Sequence, residues 1–531
     1  MAANQDRGQR PRLQGQQWTP PHNPWLIAVA VMLATFMEVL DTSVANVSLP
    51  HIAGNLSATT DEATWVLTSY LVANAIILPA TNWLGQLFGR KRFLVACIFL
   101  FTMASALCGI ANSLGFLIIA RVLQGAGGGA LQPISQAVLL ESFPVQKRGA
   151  AMGVFAMGVV VAPILGPTLG GWITDNYSWR WIFYINLPIG ALAMIMCNAL
   201  VEDPPYLKRI SAANIDYIGF GLLSIWLATL QFLLDKGQEL DWFGSNAIVW
   251  SAIVSTAAFA GFIVRELMTP HPIVDLRVLK NRNFAVGAVM ILLLGSLLYG
   301  TTAILPLFMQ NLLGYTAVDA GIAMSPRGIG AFMTTIIVGR LIGKISNRIL
   351  IGFGFLLLAY SCVLLSRINL QITMSSIVVP IIISGVAISA IFVPLTTSTM
   401  GTLSQEQIGN ASGIFNLMRN VGGSVGIALI TTLVGRSTQV NQMLLSTHTS
   451  QFNPVFQQKL AAITAGLAQH GSQWEAAKQA PRILLGMLQQ QAALLSYVQN
   501  FRLFAIACLV TAPLVFLFKK VAKPSGPIAA H

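Results

Sequence analysis

The sequence predicts an all-α polytopic membrane protein with fourteen transmembrane helices. Its 531 residues are 55% hydrophobic and only 9% charged, and the mean hydropathy is +0.69. A soluble protein of this size cannot remove so much apolar surface from water. Apolar runs of about 20 residues, long enough to cross a bilayer as helices, recur along the whole chain. These observations exclude a soluble globular fold.

The apolar runs divide into a set of six, a pair and a final set of six. The predicted spans are 25–48, 63–83, 93–112, 115–140, 150–172, 181–200, 216–234, 246–265, 284–308, 319–339, 349–366, 375–400, 411–435 and 493–518. The predicted segments are a tail (1–24), a six-helix bundle (25–200), a connector with two inserted helices (201–283), a second six-helix bundle (284–518) and a tail (519–531).

The net charge of +13 is explained by topology rather than by nucleic-acid binding. With a cytoplasmic N-terminus, the basic clusters all fall on the cytoplasmic side, as the positive-inside rule expects. These clusters are Arg90-Lys91-Arg92, Lys147-Arg148, Lys208-Arg209 and Lys519-Lys520-Lys523. Both termini are therefore predicted to be cytoplasmic. The N-terminal stretch lacks the apolar core of a secretory signal, so we expect it to be retained.

The segment 436–492 is a long extramembrane stretch on the predicted outer side. It is rich in glutamine and includes helical apolar spacing, as at Leu460, Ile463 and Leu467. One interpretation is a solvated loop with surface helices. The other is a docking element for a periplasmic partner or for the membrane surface.

Two carboxylates, Glu38 and Asp41, lie inside the first apolar span, whereas the other sixteen acids fall in tails, loops or span ends. Their spacing of three places both on one helix face, about 20 and 24 Å from the start of the span. A charged group in hydrocarbon is costly, so its presence indicates function. No histidine lies deep in a span, which leaves these two acids as the candidates for proton binding.

Burial and a neighbouring like charge both favour the protonated form of a carboxylate. Such a site can bind a proton on one side of the membrane and release it on the other, and a cationic drug can compete for the same charge. The alternative is a structural role, in which one acid only bonds the nearby Thr42, Ser43 or Asn46.

The run from Leu40 to Pro50, LDTSVANVSLP, resembles the first-helix signature of the fourteen-span drug:proton antiporters of the EmrB/QacA type, in the major facilitator superfamily. Arg121-Val122-Leu123-Gln124-Gly125, with the glycine run after it, resembles the fourth-helix motif of that family. The resemblance makes Arg121 part of a proton relay together with Asp41 and Glu38. In the alternative, Arg121 has only a structural role and holds helices of the bundle together.

The fifth span resembles the antiporter motif of the family, which would lie where the two halves rock. A small residue at every fourth position allows close helix packing, and the prolines allow a bend. The residues of this motif are Gly158, Pro163, Gly166, Pro167 and Gly170. The turn after the second span carries Gly89, Arg90 and Lys91, but Gln86 stands where the superfamily has an acid. We therefore expect the contact that closes the halves to be weaker or to be built differently.

The match extends to Trp179–Pro188, Asp235–Phe243, Leu305–Gln310 and Ser412–Ser424, which makes it nearly full length. Gln499 stands where many relatives carry an acid in the last helix, so we do not expect a second proton-binding carboxylate there. The resemblance implies a major facilitator fold of two six-helix bundles plus two inserted helices. Residues proposed to line a substrate cavity are Phe36, Trp65, Tyr70, Asn74, Gln124, Phe155, Tyr299, Gln310 and Asn416.

The predicted function is proton-driven export of diverse lipophilic or cationic drugs by antiport with alternating access, most similar to EmrB-like multidrug exporters. The resemblance implies the bacterial inner membrane, no cofactor besides the proton gradient, and a possible periplasmic adaptor with an outer-membrane channel. The alternatives are a narrow-substrate exporter of a tetracycline-like drug, siderophore or metabolite, a polytopic lipid-modifying enzyme, and a receptor or scaffold. The enzyme alternative is disfavoured because such an enzyme would place its acids and histidines near a membrane interface with metal or phosphate chemistry, which this sequence does not. No Walker A pattern, metal-ligand cluster or nucleophile elbow appears, which disfavours ATP as the energy source.

Overall fold

The computed structural model describes residues 20–144, 147–205, 216–270, 272–342, 344–450, 452–469 and 472–519. Within these residues, fourteen helical segments are long and apolar enough to cross a membrane, so the predicted all-α polytopic fold is confirmed. Three predicted features lie outside the described residues: most of the N-terminal tail, the pair Lys208-Arg209 and the C-terminal tail from Lys520 onward.

Nine helices build the first six crossings, because two crossings are interrupted and one short helix lies in a turn. They are α1 (Pro24–Asn55), α2 (Thr60–Ala63), α3 (Trp65–Phe88), α4 (Arg90–Gly109), α5 (Leu114–Gly128), α6 (Leu131–Ser142), α7 (Arg148–Asn176), α8 (Trp181–Tyr184) and α9 (Asn186–Leu200). The fourth crossing breaks between α5 and α6, within the glycine run 127–129 and Ala130.

The two inserted helices, α10 (Tyr217–Lys236) and α11 (Asn246–Met268), form an aromatic hairpin. The Trp226 ring lies 4.5 Å from the Phe259 ring and 5.9 Å from the Phe262 ring, measured between centroids. Aromatic pairs stabilise a contact beyond the apolar area that they bury, and they favour particular ring arrangements. These ring contacts hold α10 and α11 together.

The second set of six crossings is built by α12 (Arg282–Asn311), α13 (Ala317–Met324), α14 (Pro326–Leu341), α15 (Asn347–Leu365), α16 (Met374–Met400), α17 (Gln405–Ser446) and α19 (Gln473–Thr511), with α18 (Pro454–Ala468) outside the spans. Two helices extend past the predicted spans, because α17 continues beyond residue 435 and α19 begins before residue 493. Asn441, in the extension of α17, and Gln499 of α19 exchange two amide hydrogen bonds of 3.3 Å.

Helix α7 packs against α1 so closely that its glycines leave no room for a side chain. A Cβ atom added at Gly158 would lie 2.1 Å from Met32 Cε, and one at Gly166 would lie 2.3 Å from Ser43 Oγ. Ser43 in turn donates a 2.9 Å hydrogen bond to the carbonyl of Pro163, which lies four residues before the second proline of α7, Pro167. The small residues of the fifth span thus bring α7 onto the helix that carries both candidate carboxylates.

The two halves touch at the end of the bundle where α1 begins. Ser412 on α17 donates hydrogen bonds to Gln136 (2.7 Å) and to the carbonyl of Pro133 (3.1 Å), both on α6. Asn416 donates a further bond of 2.5 Å to Gln136. These contacts close the predicted cytoplasmic side of the space between the halves.

The turn between α3 and α4 takes part in this closure. Gly89 has φ +86°, a backbone conformation that favours glycine, and it directs Arg90 inward to an ion pair with the buried Glu141. Arg90 also lies against Gly409 of α17, where an added Cβ would be 3.1 Å from its guanidinium. Arg90 and Glu141 both belong to the first half, so their ion pair fixes the turn against which Gly409 of the second half packs.

We predict that Gly166→Ala destabilises the protein by about 1–3 kcal/mol, because the added methyl group overpacks the α1–α7 contact. The measurement is thermal unfolding of the purified protein in detergent. Gly221→Ala on α10 is the matched control, since nothing lies within 4 Å of a Cβ added there. Equal unfolding temperatures for the two variants would contradict the prediction.

Candidate functional site

Asp41 is the centre of a closed polar network in which every partner is a donor. Arg121 Nη1 lies 2.5 Å from one carboxylate oxygen, and the amides of Gln124 and Asn186 donate to the other at 2.9 and 2.7 Å. The side chains of Asp41 and Arg121 are each only 1% exposed. Arg121 also donates to the carbonyl of Val66, so the network joins α1, α3, α5 and α9.

Glu38 belongs to a second network, one turn away on α1, with neutral partners. Tyr70 (3.3 Å) and Asn74 (3.0 Å) donate to one oxygen, and Gln132 (2.5 Å) donates to the other. No guanidinium or ammonium bonds this carboxylate directly among the described residues. Glu38 can therefore be neutralised by a proton without breaking an ion pair, whereas Asp41 cannot.

The glycine run after Arg121 positions the donors of Glu38. A Cβ at Gly125 would lie 2.3 Å from the carbonyl oxygen of Tyr70, and one at Gly129 would lie 2.5 Å from that of Asn74. Helix α5 and the break after it therefore touch the backbone of α3 at both donor residues. Larger side chains would push α3, and with it the two donors, away from Glu38.

Gln132 links Glu38 to the other half of the molecule. Its amide donates to Glu38, while its carbonyl oxygen accepts a hydrogen bond from Arg419 on α17. Arg419 is 1% exposed, and its Nε and Nη1 atoms have no hydrogen-bond partner within the described residues. A buried cation with unpaired donors is costly, so Arg419 depends electrostatically on the nearby carboxylate.

A cavity of about 380 Å³ lies between the halves, and Glu38 and Gln132 form part of its lining. It extends from these residues towards the predicted outer side, between α3, α10 and α17. The described side chains that line it include the carboxylates of Glu38, Asp235 and Glu239 but no lysine or arginine. Seven leucine, isoleucine and valine side chains form the apolar part of the wall, and amides, hydroxyls and two tyrosines complete it, which suits an amphiphilic molecule with positive charge.

Of the nine residues predicted to line a cavity, the structure brings Tyr70, Asn74 and Tyr299 to this one. Gln124 and Asn416 are buried in polar networks, with Asp41 and Gln136 respectively. The others lie apart from it. Phe155 stacks on Phe392, Trp65 stacks on Phe232, Phe36 is packed near the Asp41 network, and Gln310 is exposed.

The sequence reasoning missed the roles of Gln132, Asn186 and Asp235. Asn186 stands in a segment that the family resemblance had marked, but nothing in its position indicated a bond to Asp41. Gln132 and Gln136 are polar residues four apart inside an apolar span, a pattern that could have indicated a buried face. Within the described residues, no group of three or more His, Cys, Asp or Glu side chains could hold a metal ion.

Residues 31–427 match the family model of the Major Facilitator Superfamily, which covers most of the chain. The chain belongs to the Major Facilitator Superfamily. The multidrug export protein EmrB of Haemophilus influenzae is 40% identical to this facilitator over 433 residues, 81% of this chain and 84% of that protein. The fatty acid resistance protein FarB of Neisseria gonorrhoeae is 37% identical over 498 residues, 93% of this chain and 96% of that protein.

A solved structure extends the comparison to the fold. The human organic anion transporter MFSD10 (TETRAN) matches with a TM-score of 0.59 at 13% identity, covering 94% of this chain and 100% of that chain. At such low identity the match concerns architecture alone. The predicted major facilitator fold and the predicted similarity to EmrB-like proteins are both confirmed.

We predict that Arg121→Met destabilises this facilitator by about 3–5 kcal/mol, because it leaves the carboxylate of Asp41 buried without its counter-charge. The double variant Arg121→Met/Asp41→Asn removes both charges and should recover a large part of that loss. Thermal unfolding of both variants and of Asp41→Asn completes the double-mutant cycle. Strictly additive effects would show that the two side chains do not interact.

Proposed function

We propose that this facilitator is a proton-driven multidrug exporter that exchanges cationic or lipophilic compounds for protons by alternating access. The observation that carries the proposal is the cavity between the halves, whose lining combines apolar and neutral polar side chains and whose charged groups, among the described residues, are all carboxylates. Burial of apolar surface is not directional, so such a cavity accepts varied shapes. The names of its relatives, multidrug export and fatty acid resistance proteins, support export of amphiphilic compounds.

In this proposal Glu38 and Asp41 have different roles in proton binding. Glu38 borders the cavity, so a proton and a cationic drug compete for it directly. Asp41 is held away from the cavity by Arg121, Gln124 and Asn186. A proton reaches Asp41 only when Arg121 releases it, and that release needs a rearrangement of α1 against α5.

The coupling to alternating access runs through Gln132 and Arg419. While Glu38 is charged, it holds Gln132 on the first half, and Gln132 holds Arg419 on the second half. Protonation of Glu38 removes the charge that compensates Arg419, and this weakens the link between the halves. A proton arriving from outside is thereby coupled to opening of the closed side.

The experiment that tests this function is an accumulation assay over a chemical panel, with and without a protonophore, in cells that express the protein. We expect export of cationic dyes and lipophilic cations to stop when the proton gradient is dissipated. The panel includes a fatty acid anion, whose binding the three carboxylates of the cavity lining should disfavour by charge repulsion. Export that survives the protonophore would overturn the proton-driven proposal, and transport of a single compound would favour the narrow-substrate alternative.

We predict that cation binding to the wild-type protein weakens at acidic pH and that Glu38→Gln abolishes this pH dependence. Asp41→Asn should keep the pH-dependent binding but lower drug-driven proton release from proteoliposomes, because the proton site behind Arg121 is gone and exchange at Glu38 alone remains. Binding is measured by dye fluorescence and proton release by an internal pH indicator. Unchanged proton coupling in Asp41→Asn would refute the role of Asp41.

Several accompanying features belong to the same proposal. The energy source is the proton gradient, so no bound cofactor or ATP hydrolysis is required. We propose the bacterial inner membrane as the location, with both termini cytoplasmic. A periplasmic adaptor leading to an outer-membrane channel is the proposed partner, and the helical extensions beyond the spans offer its docking surface.

The exposed apolar side chains of this outer segment support the adaptor proposal. Phe452 is 95% exposed and Trp474 is 69% exposed, and none of the residues of α18 is buried. Met443, Leu444 and Val455 of the same segment are exposed as well, and several exposed apolar side chains in one segment, rather than a single one, are what marks an interaction surface.

We predict that Phe452→Ser/Trp474→Ser lowers drug resistance of Gram-negative cells several-fold but leaves transport in proteoliposomes unchanged. The reason is that only cells need the adaptor contact. The two measurements are the minimal inhibitory concentration and the initial rate of dye transport. Equal losses in both assays would indicate a defect in the transporter itself.

A further inference from the structure

The first inserted helix, α10, forms one wall of the cavity rather than a peripheral attachment. Leu227, Leu230, Gln231, Leu234 and Asp235 all line it. Three of these residues are leucines that supply apolar surface, one is an amide and one is a carboxylate. A substrate in the cavity therefore meets α10 directly.

Helix α10 contacts α3 near both ends of that helix. The rings of Trp65 and Phe232 stack at 5.9 Å near one end of α3, and those of Trp83 and Phe220 stack at 6.3 Å near the other. Thr68 of α3 donates a hydrogen bond to the carboxylate of Asp235. These contacts determine where Asp235 lies relative to the donors of Glu38.

Asp235 is accessible at the mouth of the cavity, whereas Glu38 is buried at its floor, where it is 3% exposed. The adjacent Lys236 does not line the cavity. Its ammonium group donates to Thr64 and Glu239, both at 2.6 Å. Lys236 thus bonds groups other than Asp235, and Asp235, whose Oδ2 accepts from Thr68, keeps Oδ1 available to the cavity.

The separation of the two carboxylates follows from their partners on α3. Thr68 bonds Asp235, while Tyr70 and Asn74 bond Glu38. At 1.5 Å per residue, these positions are offset by about 3–9 Å along the helix axis. Two positive charges separated by several carbon atoms can reach both carboxylates at once.

We infer that Asp235 is a second cation-binding residue, so that the cavity accepts amphiphiles with two positive charges, one at Glu38 and one at Asp235. The inference rests on the proposed drug-binding function of the cavity. It assigns to the inserted helices a direct part in substrate selection, with the leucines of α10 contacting the carbon chain between the two charges.

The test compares a bis-trimethylammonium alkane with the mono-trimethylammonium alkane of the same chain length. Binding to the purified full-length protein in lipid nanodiscs is measured by calorimetry. Asp235→Asn should weaken binding of the dication about three- to tenfold and leave the monocation within about twofold. Asp235→Glu, which keeps the charge, should retain the preference for the dication.

Asp241→Asn is the matched control, because it removes the same charge nearby on a residue that is exposed outside the cavity lining. Its positive φ of 56° is one that asparagine also adopts readily. An equal loss of dication binding in Asp241→Asn would overturn the inference, as would an unchanged preference in Asp235→Asn. Failure of the wild-type protein to bind either probe would instead refute the proposed function of the cavity.

Discussion

The buried ion pair between Asp41 and Arg121 is the constraint on which the rest of the first bundle depends. Two charges in an apolar interior are tolerated only when they face one another and when every remaining hydrogen-bonding group is satisfied. Asp41 meets that condition with donors from α5 and α9, and Arg121 meets it partly through a carbonyl of α3. Four helices are therefore held in one register by the need to compensate two charges.

Close backbone approach makes this compensation possible. The glycines of α7 and of the α5–α6 break leave no space for side chains, so α1, α3 and α5 come near enough for short polar side chains to meet. The same packing separates the two carboxylates of α1 into different environments. Asp41 is enclosed with a cation, while Glu38 faces a cavity with neutral donors, although the two residues lie within one turn of the same helix.

The sequence was sufficient for the fold, because hydropathy determines the spans and the positions of small residues and prolines indicate close helix contacts. It also identified Glu38, Asp41 and Arg121 as an unusual group, since charged residues in an apolar span are rare. It could not separate the two acids, because their partners Asn186 and Gln132 come from distant helices. Asp235 was read only as part of a loop, because its place at the cavity depends on the packing of α10 against α3.

The position of α10 has a mechanical consequence for the transport cycle. Two stacked aromatic pairs and the hydrogen bond to Asp235 join α10 to α3, whereas the hydrogen bond from Ser424 to Gln231 joins α10 to α17. We therefore expect α10 to move with the first half when the two halves rotate. The contact between α10 and α17, where Gly423 and Ser424 line the cavity, should then change beside the substrate during transport.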